Sequence, residues 1–343
     1  MSEILADKIV LVTGGTGSIG SEIVKQALSQ GARKVIVFSR DEIKHFMMRK
    51  QICNSRLETI IGDVRDVRSL EAAFNQFNID IVYHAAAMKH VVMCEDFPVE
   101  AVETNIIGTQ NIVELALKHV VSKTITISTD KAAYPVNLMG ATKFIAERIT
   151  LSANKSSKQG QIFSCVRFGN VASSRGSVIP VYTDSLLNRT PLQVTDPEVT
   201  RFIIRVSDAV RLVIKATEHA RGGEVFILKM KAFKLGDLVE VMVDAIAPRL
   251  NIPGENVQVN IIGLTRGEKL HEDLLNELEA SRIYELDDMY VIPSDIKACA
   301  GDSSRDKVDL LGYTSEKAEL ISKQQIEELV MEYLEKRASI CDF

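Results

Sequence analysis

Two clusters of residues in this chain have the types and spacing to do chemistry. Thr13-Gly14-Gly15-Thr16-Gly17-Ser18-Ile19-Gly20 sets Gly14, Gly17 and Gly20 at a G-x-x-G-x-x-G spacing. Glycine permits a tight turn and lets backbone N–H groups approach a pyrophosphate at a helix N-terminus, so this turn, with Thr16, Ser18 and Ile19, predicts a dinucleotide site. The second cluster is Ser128-Thr129-Asp130-Lys131, with Lys143 twelve residues beyond Lys131. A carboxyl beside an amine can give and take protons once burial or a neighbour tunes it, whereas on an open surface the same pair is ordinary. Met139 lies one helical turn before Lys143, so the two share a face. Its thioether has no proton to give and no charge to take.

These residues need elements to hold them. Lys8–Thr13 is a short apolar run ended by glycines, as expected of a strand buried on both faces. Similar runs recur at 34–38, 57–61, 79–83 and 124–128, separated by segments of helical period such as Ser18 to Gln30 and Val99 to His119. This alternation predicts an α/β fold, a doubly wound parallel (Rossmann) sheet over residues 1–170 to which later segments return. Six prolines from Pro180 to Pro293 interrupt the rest, predicting a smaller mixed α/β region over 171–343. Apolar residues at helical spacing between Ser315 and Arg337 (Leu320, Ile321, Ile326, Leu329, Val330, Tyr333, Leu334) predict a terminal docking helix.

After the second predicted strand, Ser39-Arg40 with Lys44 beyond suits a 2'-phosphate, where an acidic residue at the strand tip would instead hold a ribose 2'-hydroxyl. NADP is therefore favoured over NAD, although Asp41 could simply pair with Arg40. Asp63-Val64 follows the third strand and Ala85-Ala86-Ala87 the fourth. The carboxylate can accept from an adenine amino group, and the small residues let a cofactor lie against the backbone.

The run Ser128 to Lys143 resembles the active site of extended short-chain dehydrogenases acting on nucleotide sugars, specifically the inverting UDP-N-acetylglucosamine 4,6-dehydratases. Thr129-Asp130-Lys131 is its specific part, a motif that epimerase and reductase relatives lack. Arg167-Phe168-Gly169-Asn170-Val171, Ser174 to Pro180, Thr195-Asp196-Pro197 through Phe202, and Arg266 to Glu272 look like segments of the same group. Together they span roughly residues 8–275, more than chance motif matches would fill.

The resemblance implies a redox-neutral dehydration. Hydride leaves sugar C4, the 4-keto group acidifies C5–H, Lys131 removes that proton when neutral, and Asp130 when protonated donates to the departing C6 hydroxyl. Hydride returns to C6, and reprotonation from the opposite face inverts C5. Met139 occupies the tyrosine position of the family's Tyr-x-x-x-Lys pattern, as in some inverting members, while Lys143 meets the nicotinamide ribose. The C4 hydroxyl proton then falls to Lys131 acting twice, to Thr129 relaying to water, or to Lys143 through a ribose hydroxyl, with Lys131 favoured. Hydride return to C4 would release a 5,6-unsaturated sugar instead. An epimerase or reductase, or an inactive NADP-binding paralogue, are the rival readings.

By the same resemblance, Asn105 lies on the cofactor side, and Lys89, Asn170, Ser177, Val178, Arg201, Arg266 and Glu268 hold the UDP-sugar. It also implies a homo-oligomer, a dimer or hexamer. The 343 residues, with 46% hydrophobic and 25% charged residues and a net charge of -5, describe an ordinary globular protein. Scattered basic residues argue against nucleic acid as a partner. Five widely spaced cysteines read as reduced thiols, and His84, His90 and His271 have no ligand-like partner at short spacing, so no metal is expected. No apolar run approaches the ~20 residues of a membrane span, which predicts a cytoplasmic protein without membrane contact.

Overall fold

In the computed structural model, residues 4–294 and 312–341 are described. Strands β1 (Ile9–Thr13), β2 (Lys34–Ser39), β3 (Leu57–Ile61), β4 (Ile81–His84), β5 (Lys123–Thr129) and β6 (Ile162–Phe168) alternate with helices. These are α1 (Ser18–Ser29), α2 (Glu42–Ile52), α3 (Val67–Gln76), α4 (Val91–Asp96), α5 (Pro98–Val102), α6 (Gly108–Lys118) and α7 (Leu138–Ser152). There follow β7 (Asn170–Val171), α8 (Val178–Leu187), β8 (Leu192–Val194), β9 (Thr200–Ile204), α9 (Val206–His219), β10 (Val225–Leu228) and β11 (Lys231–Lys234). The last elements are α10 (Leu235–Val241), α11 (Ala247–Arg249), β12 (Val259–Ile261), α12 (Glu277–Ala280), β13 (Tyr284–Leu286), β14 (Met289–Ile292) and α13 (Lys323–Cys341).

Among the described residues, nine strands form one sheet in the order β13-β14-β10-β6-β5-β4-β1-β2-β3. Its members from β3 to β10 pair in parallel, and β14 and β13 close the edge antiparallel. The order reverses between β1 and β4, and the carboxyl ends of strands at such a switch point form the crevice where open α/β sheets bind ligands. Apolar residues on both faces explain the near-continuous runs: Val10 and Val12 pack toward α1 and α9, while Leu11 and Ile36 pack toward α3 and α6. Each fully buried Val, Leu, Ile or Phe contributes about 1.5–3 kcal/mol.

β10, β14 and β13 join this sheet although they lie beyond residue 170. A separate core, including Ile179, Leu186, Val194, Phe233, Met242 and Val330, gathers α8, α10 and α13 around the smaller sheets β11-β9-β7 and β12-β8. The terminal helix starts at Lys323, later than its apolar spacing predicts. Backbone bonds from Ala232 N to Glu319 O (2.9 Å) and from Ile321 N to Ala232 O (2.8 Å) draw the preceding segment onto β11, leaving Leu320 exposed. The segment predicted from Val99 to His119 runs as α5 and α6 joined by a π-helical turn, Glu103–Ile107, a local widening often found beside functional sites. No described helix is long and apolar enough to cross a membrane.

Candidate active site

The glycine turn is built so that only glycine fits. Gly14 has φ +63°, and a Cβ there would meet Ala86 Cα at 2.8 Å; a Cβ on Gly20 would lie 2.3 Å from Gly14 O. The backbone of β4's exit, Ala85 to Ala87, therefore lies against the turn, with Ala85 N donating to Thr13 O (3.2 Å). Gly17 caps α1 without a side chain, so the first amides at Ser18, Ile19 and Gly20 have no side-chain oxygen from the cap. Underneath, His84 bridges Thr13 Oγ1 (2.7 Å) and Thr109 Oγ1 (3.0 Å), and burial pushes its pKa down to about 3, so it is a neutral strut.

At the tip of β2, Thr16 Oγ1 and Ser39 Oγ lie 2.8 Å apart, and Ser39 also meets His45 Nε2 at 2.9 Å. Asp41 caps α2, accepting from Lys44 N (3.0 Å) and pairing with Lys44 Nζ (2.6 Å). Arg40 accordingly pairs with Asp63 (3.6 Å) and not with Asp41. Burial would raise the Asp63 carboxyl, but Arg65, bonded through Nε (2.9 Å) and Nη2 (2.7 Å), and Arg40 hold it below the usual carboxylate range. Val64 is buried against Gly108. Asn105, placed by sequence on the cofactor side, spends its amide internally: it accepts from Met88 N (2.8 Å) and donates to Met88 O and Thr142 Oγ1. It joins β4's exit to α7 and so positions both.

Arg175, within the Ser174–Pro180 segment, is a functional-site residue that sequence pattern does not single out. Its Nη2 donates to Thr16 O and its backbone N to Ser18 Oγ (3.2 Å), while Lys89 Nζ donates to Arg175 O (2.5 Å). The smaller region is thereby latched onto the glycine turn.

At the carboxyl end of β5, Asp130 is 1% exposed. Its Oδ1 accepts from Thr129 Oγ1 (2.8 Å), Lys131 N (2.9 Å) and Lys131 Nζ (3.1 Å), while Oδ2 is buried without a partner among the described residues. A Cβ on Gly169 would lie 3.3 Å from that oxygen, and one on Gly140 would lie 2.3 Å from Lys131 O, so two glycines let β6 and α7 close on the pair. Lys131 Nζ also lies 3.1 Å from Glu272 Oε1. Burial would lower the Lys131 pKa, but Asp130 and Glu272 together outweigh it and raise it, so Lys131 rests as an ammonium. The condition that Lys131 be neutral to act as a base is therefore not met at rest, because a second carboxylate, Glu272, reaches it from a distant part of the chain.

Arg201 does not present a free fork. Nη1 donates to Thr200 O and Leu270 O, and Nη2 to Lys269 O and Glu268 Oε1 (2.8 Å). Glu268 likewise accepts from Thr195 Oγ1 and Thr265 N. Arg266 is 88% exposed on its side chain and sits 3.9 Å from Glu95. Ser177 caps α8 with its Oγ buried and, among the described residues, unpartnered, directly before Val178, and Asn170 begins β7.

Helix α7 carries Met139 and Lys143. Asn137 caps it, accepting from Gly140 N (2.8 Å) and donating to Gly267 O (2.8 Å). Met139 is 4% exposed, packed with Cys94 and Ala101. Lys143 is buried without an ion pair among the described residues, and burial lowers its pKa. Behind them Arg167, fully buried, binds Glu147 through Nε (3.0 Å) and Nη2 (2.7 Å) and Glu279 through Nη1 (2.8 Å). Ser128 Oγ donates to Glu147 Oε1 (2.5 Å), which ties β5, β6, α7 and α12 together.

The polysaccharide biosynthesis protein family matches residues 10–294. The chain is 43% identical over 334 residues to an uncharacterized membrane protein of Methanocaldococcus jannaschii, covering 97% of this chain and 98% of that one. It is 36% identical over 335 residues to a UDP-glucose 4-epimerase of Rickettsia canadensis, covering 95% and 96%. The crystal structure of Pen from Bacillus thuringiensis superposes with a TM-score of 0.87 at 39% identity, covering 96% and 99%. Matched along most of its length and built on the same sheet, this chain belongs to the polysaccharide biosynthesis protein family, within the extended short-chain dehydrogenase/reductase enzymes of nucleotide sugars.

Proposed function

We propose that this enzyme is an NADP-dependent UDP-N-acetylglucosamine 4,6-dehydratase that inverts C5. The observation that carries the reading is the buried Asp130–Lys131 pair, one oxygen of which has no partner among the described residues. Loss of water from a sugar needs one group to take a proton from carbon and another to protonate the leaving hydroxyl. Exchange of configuration at C4 alone needs neither.

The residues around the glycine turn fit a dinucleotide. The first turn of α1 would hold the pyrophosphate, Ser39 and Arg40 the 2'-phosphate, and Lys143 the nicotinamide ribose. NADP is preferred to NAD because Asp41, the carboxylate at the β2 tip, is engaged in capping α2. A bound nicotinamide supplies hydride acceptance from sugar C4 and hydride return to C6. On the substrate side, Ser177 and Val178 at the start of α8, Asn170 and Lys89 are assigned to the UDP diphosphate, with Arg266 toward the nucleoside. Arg201 and Glu268 brace the wall.

With Lys131 resting as an ammonium, the first proton falls to Asp130. Oδ2 accepts the C4 hydroxyl proton as the ketone forms, then delivers it to the C6 hydroxyl, which leaves as water. Lys131, once neutral, takes the acidified C5 proton and then gives a hydrogen to the opposite face. The hydroxyl proton thus ends in water, and one of the solvent-exchangeable hydrogens of the Lys131 ammonium ends on C5, so no external acid or base is consumed.

The 4-epimerase reading is favoured by the name of the Rickettsia relative and predicts isomerisation without loss of mass. Incubation with UDP-N-acetylglucosamine and NADP in D2O, read by mass spectrometry and NMR, separates these. The expected product has lost water, carries deuterium at C5 and shows the inverted C5 coupling pattern; an unsaturated C5–C6 signal would mean hydride return to C4. Lys131→Ala abolishes product formation. A product of unchanged mass, or none, refutes the dehydratase.

A further inference from the structure

Lys131 must be neutral to take a proton from carbon, yet it rests as an ammonium between two carboxylates. We propose that Glu272 is the proton store of this site, accepting the proton that Lys131 must shed before it can act as a base. The inference rests on the dehydratase reading and adds a residue to it. Glu272 is 2% exposed, and its Oε1 lies 3.1 Å from Lys131 Nζ, the same separation as Asp130 Oδ1 on the other side. Its Oε2, like Asp130 Oδ2, is buried without a partner among the described residues. The Glu272 backbone is pinned: its N donates to Ser315 Oγ (2.9 Å) and its O accepts from Ser315 N (2.8 Å).

The charged groups facing Glu272 are Lys131 and Asp130 from the turn after β5 and Arg201 from β9, whose Nε is 3.9 Å away and whose charge is shared with Glu268. Burial, reinforced by Asp130, raises the Glu272 carboxyl above its ordinary range against the pull of Lys131 and Arg201. Such a carboxylate is a better proton acceptor than an exposed one.

The step is a transfer along the 3.1 Å contact. One N–H bond of the Lys131 ammonium breaks, an O–H bond forms on Glu272 Oε1, and an ion pair becomes a neutral pair with no change in total charge. Lys131 then takes the C5 proton, later gives one of its exchangeable ammonium hydrogens to C5, and recovers a proton from Glu272. The store closes the cycle and leaves Asp130 free to carry the hydroxyl proton to water. Glu272 is a positioning and relay residue, acting through Lys131.

The test compares native enzyme, Glu272→Gln and Glu272→Asp for water loss from UDP-N-acetylglucosamine across pH, with NADP binding and thermal unfolding measured alongside. In the native enzyme, kcat falls on the acid side as Glu272 protonates. Glu272→Gln lowers kcat by roughly 100-fold or more at little change in KM, and its acid limb is replaced by a rate that climbs with pH as Lys131 loses its proton to solvent. Glu272→Asp restores part of the rate together with an acid limb. Native kcat and an unaltered pH profile in Glu272→Gln overturn the proposal, as does an equal loss in both variants with the native acid limb retained. If the Gln variant does not fold, a native profile and rate in Glu272→Asp overturns it. Water loss by the native enzyme is scored first, so a failure of the dehydratase reading is seen separately.

Discussion

Replacing Met139 separates packing from chemistry at the position where the family pattern has a tyrosine. The side chain is 4% exposed and packs with Cys94 of α4 and Ala101 of α5, with Met88, Val91 and Leu138 around them. This small cluster fixes the first turn of α7, one turn from Lys143. Met139→Ala deletes most of a buried side chain and should cost about 2–4 kcal/mol of stability. Met139→Leu conserves volume and should cost less than about 1.5 kcal/mol. Neither removes a group that carries a proton, so the Leu variant should keep kcat within roughly tenfold, far short of the ~10²–10⁴-fold loss expected for a general acid–base residue.

The assay pairs urea unfolding, followed by circular dichroism, with water loss from the UDP-sugar under saturating NADP. A Leu variant that unfolds like the native enzyme yet loses more than about 100-fold in kcat would refute the reasoning, because a volume-conserving change leaves only the sulfur to account for the loss.

Two further outcomes are expected. Arg167→Met leaves Glu147 and Glu279 buried without their main cation and should cost about 3–5 kcal/mol at pH 7 in urea unfolding. Burial opposes the Glu147 charge, but Arg167 and Ser128 hold that carboxyl below its ordinary value of 4.5, so in the native enzyme this stabilisation is present above that pH and lost below it. In the variant, burial opposes the Glu147 charge with its main cation gone, so the carboxyl takes up a proton more readily and the deficit should shrink as pH falls from 7; a deficit that stays constant refutes the account. Arg40→Ala should weaken NADP binding by about 1.5–3 kcal/mol while leaving NAD nearly unchanged, as read by fluorescence titration; equal losses for both cofactors would remove Arg40 from the 2'-phosphate.

The parts of the fold legible in sequence were those fixed by local pattern. β1 and β2 stand where continuous apolar runs placed them, because strands covered on both faces carry no polar alternation to blur them, and β3, half-buried at the sheet edge, matches its run as well. The start of α13 was misplaced because a backbone contact with β11, distant in sequence, overrides helical spacing between Ser315 and Ser322. The site divides the same way. Asp130 and Lys131 are adjacent in sequence and could be read together; Glu272 enters from another segment, and only the fold brings it to Lys131. The resemblance puts Arg201 on the UDP-sugar, but whether a guanidinium is free depends on nearby carbonyls, which sequence does not reveal.

Proton count links the missing phenol to the added carboxylate. A phenol at position 139 would accept the C4 hydroxyl proton and need a route to pass it on. With methionine there, Asp130 can carry that proton to the C6 hydroxyl, because C4 oxidation releases one proton and water loss consumes one. The C5 proton is a separate account held by Lys131, and an ammonium cannot open that account until a neighbour takes its proton. A site with Asp130 alone would have to use one carboxyl for both tasks; in the proposed mechanism Glu272 separates them. An enzyme that only exchanged configuration at C4 would move no proton at C5 and would have no use for a lysine buried between two carboxylates, so this pairing favours dehydration even among relatives named for epimerisation.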